Sequence, residues 1–162
     1  MKWTKRRKRV YGFLIVASLL VIFFSVWNYL HRDREAIPAS FLYGIDGDTV
    51  ILEIDKKEIK VRLLSVDAPE IGEPYYEEAR DFTTAFLKDS VVTVKEESES
   101  GKYDKYGREL YWVYADGVLL QEKLLEEGLA EIDYVYGDYD LLDSLKKAEM
   151  NAKFQEKGIW SK

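Results

Sequence analysis

Four short stretches carry side chains whose types and spacing point to chemistry. In Ile45-Asp46-Gly47-Asp48-Thr49, two carboxylates stand two residues apart, so extended backbone turns both to one side. Gly47 permits a tight bend between them. The run Arg62-Leu63-Leu64-Ser65-Val66-Asp67-Ala68-Pro69-Glu70 starts as an apolar strand and meets a proline that stops a sheet ladder. Asp67 and Glu70 therefore project from a loop. Arg62 and Asp67 are an odd number of residues apart, which strict alternation places on opposite faces. A shared site requires the strand to end, bend or bulge between them. Gly101 to Arg108 interleaves Lys102, Tyr103, Lys105, Tyr106 and Arg108, a mixture suited to phosphate contacts with ring stacking. Tyr134 and Tyr136 face one way in an extended segment. Asp48, Asp67 and Glu70 are hard oxygen donors, which favour Ca²⁺ or Mg²⁺ over zinc. Arg62 and Arg108 are planar forks able to grip a phosphate. A metal, a carboxylate and two arginines describe phosphoryl chemistry.

Composition narrows the alternatives. Among 162 residues there is no cysteine and one histidine. Disulfides, Cys-based zinc sites, iron–sulfur clusters and thiol nucleophiles are excluded. The histidine, His31, lies beside a hydrophobic stretch, which argues against Ser-His-Asp hydrolysis and a histidine general base.

The elements that must position these residues follow from patterning. Strand character begins at Phe41 and recurs at Thr49–Ile54, Ile59–Val66, Val91–Val94 and Leu110–Ala115. Asp55-Lys56-Lys57 reads as a turn. Apolar spacing predicts helices over Glu77–Lys88, Val118–Glu127 and Leu141–Glu156, with Gly128 as a stop and Gly158 beyond the last. The expected fold is mainly β with α: a five-stranded barrel of the OB type with three helices, over residues 41–162.

The N-terminus reads differently. Residues 1–10 hold six of the 24 basic side chains, and residues 11–30 hold no charge. Residues 31–162 then carry 18 basic against 30 acidic side chains, a net of −12. Residues 11–30 (YGFLIVASLLVIFFSVWNYL) would span about 30 Å as a helix, the thickness of a bilayer core. Trp3, Tyr11, Trp27 and Tyr29 stand near its two ends, where aromatic rings favour the interfaces. The expectation is a basic cytoplasmic tip (1–10), a single transmembrane signal-anchor (11–30), a stalk (31–40) and an extracytoplasmic body at the cell membrane. A cleaved signal peptide, giving a secreted body, is the alternative reading.

With these residues in hand, the chain resembles the staphylococcal nuclease (thermonuclease-like) family. The matching strings, in family order, are IDGDTV at 45–50, VRLLSVDAPE at 61–70, DKYGR at 104–108, YADG at 114–117, GLA at 128–130, YVY at 134–136 and GIWS at 158–161. The resemblance implies an OB-fold barrel with a Ca²⁺-dependent phosphodiesterase site acting on DNA and RNA and leaving 5′-hydroxyl and 3′-phosphate ends. By position, Asp48 and Asp67 match the metal carboxylates and Ala68 the residue giving its carbonyl to the metal, where the family usually has Thr. Glu70 matches the catalytic glutamate, and Arg62 and Arg108 the catalytic arginines. Asp46 stands behind the metal carboxylates. Lys105, Tyr106, Tyr134 and Tyr136 match nucleotide-contacting positions. Two departures are expected to weaken nucleic-acid binding. The loop from Glu70 to Ala79 carries Glu73, Glu77 and Glu78 in place of the family's lysines, and the body is acidic. A monomer is expected. The competing functional reading is a catalytically silent OB module that binds nucleic acid or protein.

Overall fold

The computed structural model describes residues 18–23 and 36–161. The chain divides into two units, residues 1–36 and 37–162. Of the first unit, residues 18–23 are helical. Among the described residues, no helix is long and apolar enough to cross a membrane. The expected basic tip, most of the expected span 11–30, and stalk residues 31–35 lie outside the described residues.

The second unit is built on six strands: β1 (Ile37–Gly44), β2 (Thr49–Ile54), β3 (Lys57–Leu63), β4 (Val92–Lys95), β5 (Glu109–Ala115) and the short β6 (Val118–Leu119). Three helices complete it: α1 (Tyr76–Leu87), α2 (Leu120–Glu126) and α3 (Leu142–Phe154). A single 3₁₀ turn follows at Gly158–Trp160. The sheet runs β3-β2-β1-β4-β5-β6, and parallel pairing of β3 with β5 (Val61 opposite Glu109) closes the first five strands into a barrel. The architecture is that of an OB fold.

Local sequence explains the joins. Between β2 and β3, Asp55 and Lys56 both take left-handed backbone (φ 51° and 62°), as a two-residue hairpin requires. β1 shifts register between Phe41 and Tyr43. That bulge lets its first half pair with β4 and its second half with β2. β1 starts at Ile37, four residues before Phe41, because Ile37 and Ala39 pack against the core. Val118 and Leu119, expected to open a helix, instead pair with β5 across an Asp116-Gly117 turn, and α2 begins one residue later. The core joins Val50, Leu52, Val61 and Trp112 of the barrel to Leu120, Leu124 and Leu145 of the helices. α3 reaches it through Leu145, Ala148 and Ala152, three and four residues apart and hence on one face.

Candidate active site

β3 ends at Leu63 rather than Val66. Ser65 takes a left-handed conformation (φ 60°), and Asp67 then forms an isolated antiparallel bridge with Glu131. This break is the one the odd spacing demanded. It folds Asp67 back onto Arg62, with Arg62 Nη2 2.7 Å from Asp67 Oδ1.

Arg62 is 6% exposed. Its Nη1 lies 2.8 Å from Asp48 Oδ2 and donates to the Val66 carbonyl at 2.6 Å. One guanidinium thus joins both carboxylates. Asp48, 5% exposed, stands immediately before β2. Its Oδ2 also accepts the Ala68 N–H (2.6 Å), and its Oδ1 accepts the Thr49 hydroxyl (3.1 Å). Asp46 Oδ1 accepts the N–H groups of Asp48 (3.0 Å) and Thr49 (2.6 Å), fixing the loop that carries Asp48. Gly47 is required there: a Cβ would lie 2.6 Å from the Ala68 Cβ and 2.7 Å from the Ala79 Cβ. The Gly47 carbonyl in turn accepts the Thr83 hydroxyl of α1 at 2.6 Å.

Burial pushes the Asp48 carboxyl up to about 7. Arg62 and the Ala68 N–H act in the opposite direction, while Asp46 and Asp67 add to the rise. Asp67 is raised too, again by burial first, with Asp133 and Glu73 adding to it against the pull of Arg62. Such a pair gains from a cation beside it, and Arg62 already places a positive charge there.

Arg108 approaches from the loop before β5. Its Nε donates to Asp104 Oδ2 (2.6 Å) and its Nη1 to Thr49 Oγ1 (3.1 Å). Thr49 therefore links Arg108 to Asp48. Asp104 belongs to the DKYGR string and Thr49 to IDGDTV, and residue type alone gives neither a role. The signal for Asp104 was its place four residues before Arg108. Nothing in the sequence announces that the Thr49 hydroxyl meets Arg108, 59 positions further along the chain.

Arg62, Asp67, Glu70, Lys105, Tyr106, Arg108, Tyr134 and Tyr136 all line one cleft of about 560 Å³. Asp48 lies behind Arg62, and Asp46 behind Asp48. Glu70 is exposed, and its N–H donates to Glu73 Oε2 at 2.8 Å. Among the described residues it forms no ion pair with either arginine. Tyr106 and Tyr136 stand out into solvent, 73% and 82% exposed. Lys105 and Arg108 both lie over the Tyr106 ring (4.9 and 5.5 Å), and Arg62 lies 5.7 Å from the Tyr134 ring. Glu77 and Glu78 occupy the first turn of α1 and complement the helix dipole, while Glu73 stands in the loop before it.

Among the described residues, no group of three or more His, Cys, Asp or Glu side chains gathers to hold a metal ion. The oxygen donors gathered here are the Asp48 and Asp67 carboxylates, both on the Arg62 guanidinium, and the Ala68 backbone meets Asp48 through its N–H. This donor set fits a hard divalent cation whose remaining ligands come from water and substrate.

The staphylococcal nuclease homologue family matches residues 60–162. A thermonuclease of Staphylococcus hyicus is 35% identical over 123 residues, covering 72% of each chain. Two Bacillus subtilis (strain 168) proteins are also similar. The SPbeta prophage-derived endonuclease YokF is 35% identical over 80% of this chain and 46% of its own. Endonuclease YncB is 38% identical over 81% of this chain and 65% of its own. The chain thus spans about half the length of YokF and just under two thirds of YncB.

Proposed function

Because the chain belongs to the staphylococcal nuclease homologue family, we propose that it is a Ca²⁺-dependent nuclease hydrolysing DNA and RNA to 5′-hydroxyl and 3′-phosphate ends. Similarity to a thermonuclease and to endonucleases supports the nuclease activity itself. The observation that carries the finer reading is one hydrogen-bonded network. It runs Asp67–Arg62–Asp48–Thr49–Arg108 and opens onto a cleft edged by Lys105 and tyrosines.

Asp48, Asp67 and the Ala68 carbonyl would hold calcium, which when bound polarises the scissile phosphate. Asp46 keeps Asp48 in place. Glu70 orients the attacking water or takes its proton, and its exposed position on the cleft wall leaves it free to do so. Arg62 and Arg108 stabilise charge growing on the phosphate oxygens. Lys105 meets a neighbouring phosphate, and Tyr106, Tyr134 and Tyr136 stack on bases, which favours single-stranded substrate with little sequence preference.

The proposal includes display on the outer face of the cell membrane as a monomer. A basic tip followed by an uncharged stretch of 20 residues supports that orientation. The test is digestion of DNA by intact cells and by culture supernatant, each with calcium and with chelator. Calcium-dependent digestion by the cells supports anchored display. Digestion confined to supernatant supports a cleaved signal. Nucleic-acid binding without cleavage under any condition would favour the silent module instead.

A further inference from the structure

Arginine carries five N–H donors, and Arg108 commits two of them to the protein: Nε to Asp104 and one on Nη1 to Thr49. Nη2 has no protein partner among the described residues. The guanidinium is thus held at Nε and at Nη1, and the N–H groups of Nη2 are left for a ligand. The grip comes mainly from Asp104, whose side chain is 15% exposed.

That carboxylate does a second job. While Oδ2 holds the guanidinium, Oδ1 accepts the N–H groups of Tyr106 and Arg108, both at 2.9 Å. Backbone bonds from Asp104 N–H to the Arg108 carbonyl and from Gly107 N–H to the Asp104 carbonyl close the same turn. Gly107, at φ 81°, supplies the left-handed residue it needs. One side chain therefore sets both the aim of Arg108 and the loop that presents Tyr106.

We propose that Asp104 is a positioning residue with two separable outputs: Oδ2 orients Arg108 for phosphate, and Oδ1 fixes the turn carrying the Tyr106 stacking platform. This rests on the nuclease reading and assigns a residue that acts only through its neighbours. The two outputs separate by chemistry. Asparagine keeps an oxygen for the two backbone N–H groups but turns an amide donor toward the Arg108 Nε–H, which then loses its acceptor. Alanine removes both.

The experiment compares Asp104→Asn, Asp104→Ala and Thr49→Val with wild type in steady-state cleavage of a single-stranded oligonucleotide in calcium. Asp104→Asn is expected to lower kcat on the order of 10²-fold, the scale of a misplaced catalytic group, while KM stays near wild type. Asp104→Ala should match that kcat loss and also raise KM about tenfold, as one weakened stacking contact would. Thr49→Val should lower kcat by a smaller factor, because the Nε grip remains. A second readout is the Arg108 Nε–H resonance: protected from solvent exchange in wild type, exposed in Asp104→Asn, with the Arg108 backbone amide still protected. Turnover at the wild-type rate in Asp104→Asn, or a protected Nε–H in that variant, would overturn the proposal. Should Asp104→Ala fail to fold, the Asn and Val variants carry the comparison. A wild-type protein without cleavage would sink the nuclease reading, and the Nε–H resonance would still decide whether Asp104 holds Arg108.

Discussion

Arg62 is the side chain on which the carboxylate pair depends. It is buried and bonded to both Asp48 and Asp67, and removing one member of such an arrangement leaves uncompensated charge. Arg62→Ala should therefore cost about 3–5 kcal/mol in urea denaturation without metal. Added calcium should restore part of that, since a cation would again stand beside the carboxylates. An unchanged midpoint would show the pair does not need Arg62. Asp104 makes a different prediction. Burial works against its charge, but bonds from the Arg108 guanidinium and from the Arg108 and Tyr106 N–H groups prevail and hold its carboxyl below the usual range. A lowered folded-state pKa contributes stability that is present above the unfolded pKa, about 4, and lost as pH falls through the folded one. Wild type should thus lose more stability between pH 7 and pH 3 than Asp104→Asn does. Equal losses in the two proteins would contradict this. At this scale the acids and arginines of the site were legible because their types restrict the chemistry. Thr49 was not, since its contribution exists only once β2 meets the loop before β5.

The break after β3 shows what patterning can and cannot convey at the level of elements. The odd interval between Arg62 and Asp67 required a departure from alternation, and the strand does stop between them. The position of the break was hidden, because Ser65 rather than glycine takes the left-handed turn. The start of β1 was hidden as well. Pro38 and the polar residues before it read as stalk, but pairing with β4 draws Ile37 to Ala39 into the sheet. Short β6 was lost in a helical pattern because two residues carry no periodicity of their own. The Asp46–Asp48 loop, by contrast, depends on a glycine that the sequence displays. Gly47→Ala should cost about 1–3 kcal/mol by overpacking against Ala68 and Ala79. Cleavage should fall with it, because Asp48 moves with the loop. A variant with full stability and full activity in thermal melts and turnover assays would mean the contact is slack.

Charge acts over the whole molecule. A body of net −12 repels a polyanion, while Lys105 and Arg108 attract it only near the cleft. At physiological salt, screening over about 8 Å suppresses the distant repulsion first. Raising salt from about 0.01 to 0.1 M should therefore leave kcat/KM level or higher, unlike the steep fall expected where many cations neutralise phosphates. A steep fall would reveal a basic track along the substrate. The barrel and its helices were readable from the sequence because strand and helix periods dominate residues 41–162.

The most direct measurement is end analysis of a labelled single-stranded oligonucleotide incubated with the purified full chain in calcium, alongside Arg62→Lys and Arg108→Lys. The account predicts 5′-hydroxyl and 3′-phosphate fragments from wild type and none with chelator. It also predicts a rate loss on the order of 10³-fold in each variant, with the far-ultraviolet circular dichroism spectrum retained. Cleavage by either variant at the wild-type rate, or undiminished cleavage by wild type in chelator, would contradict it.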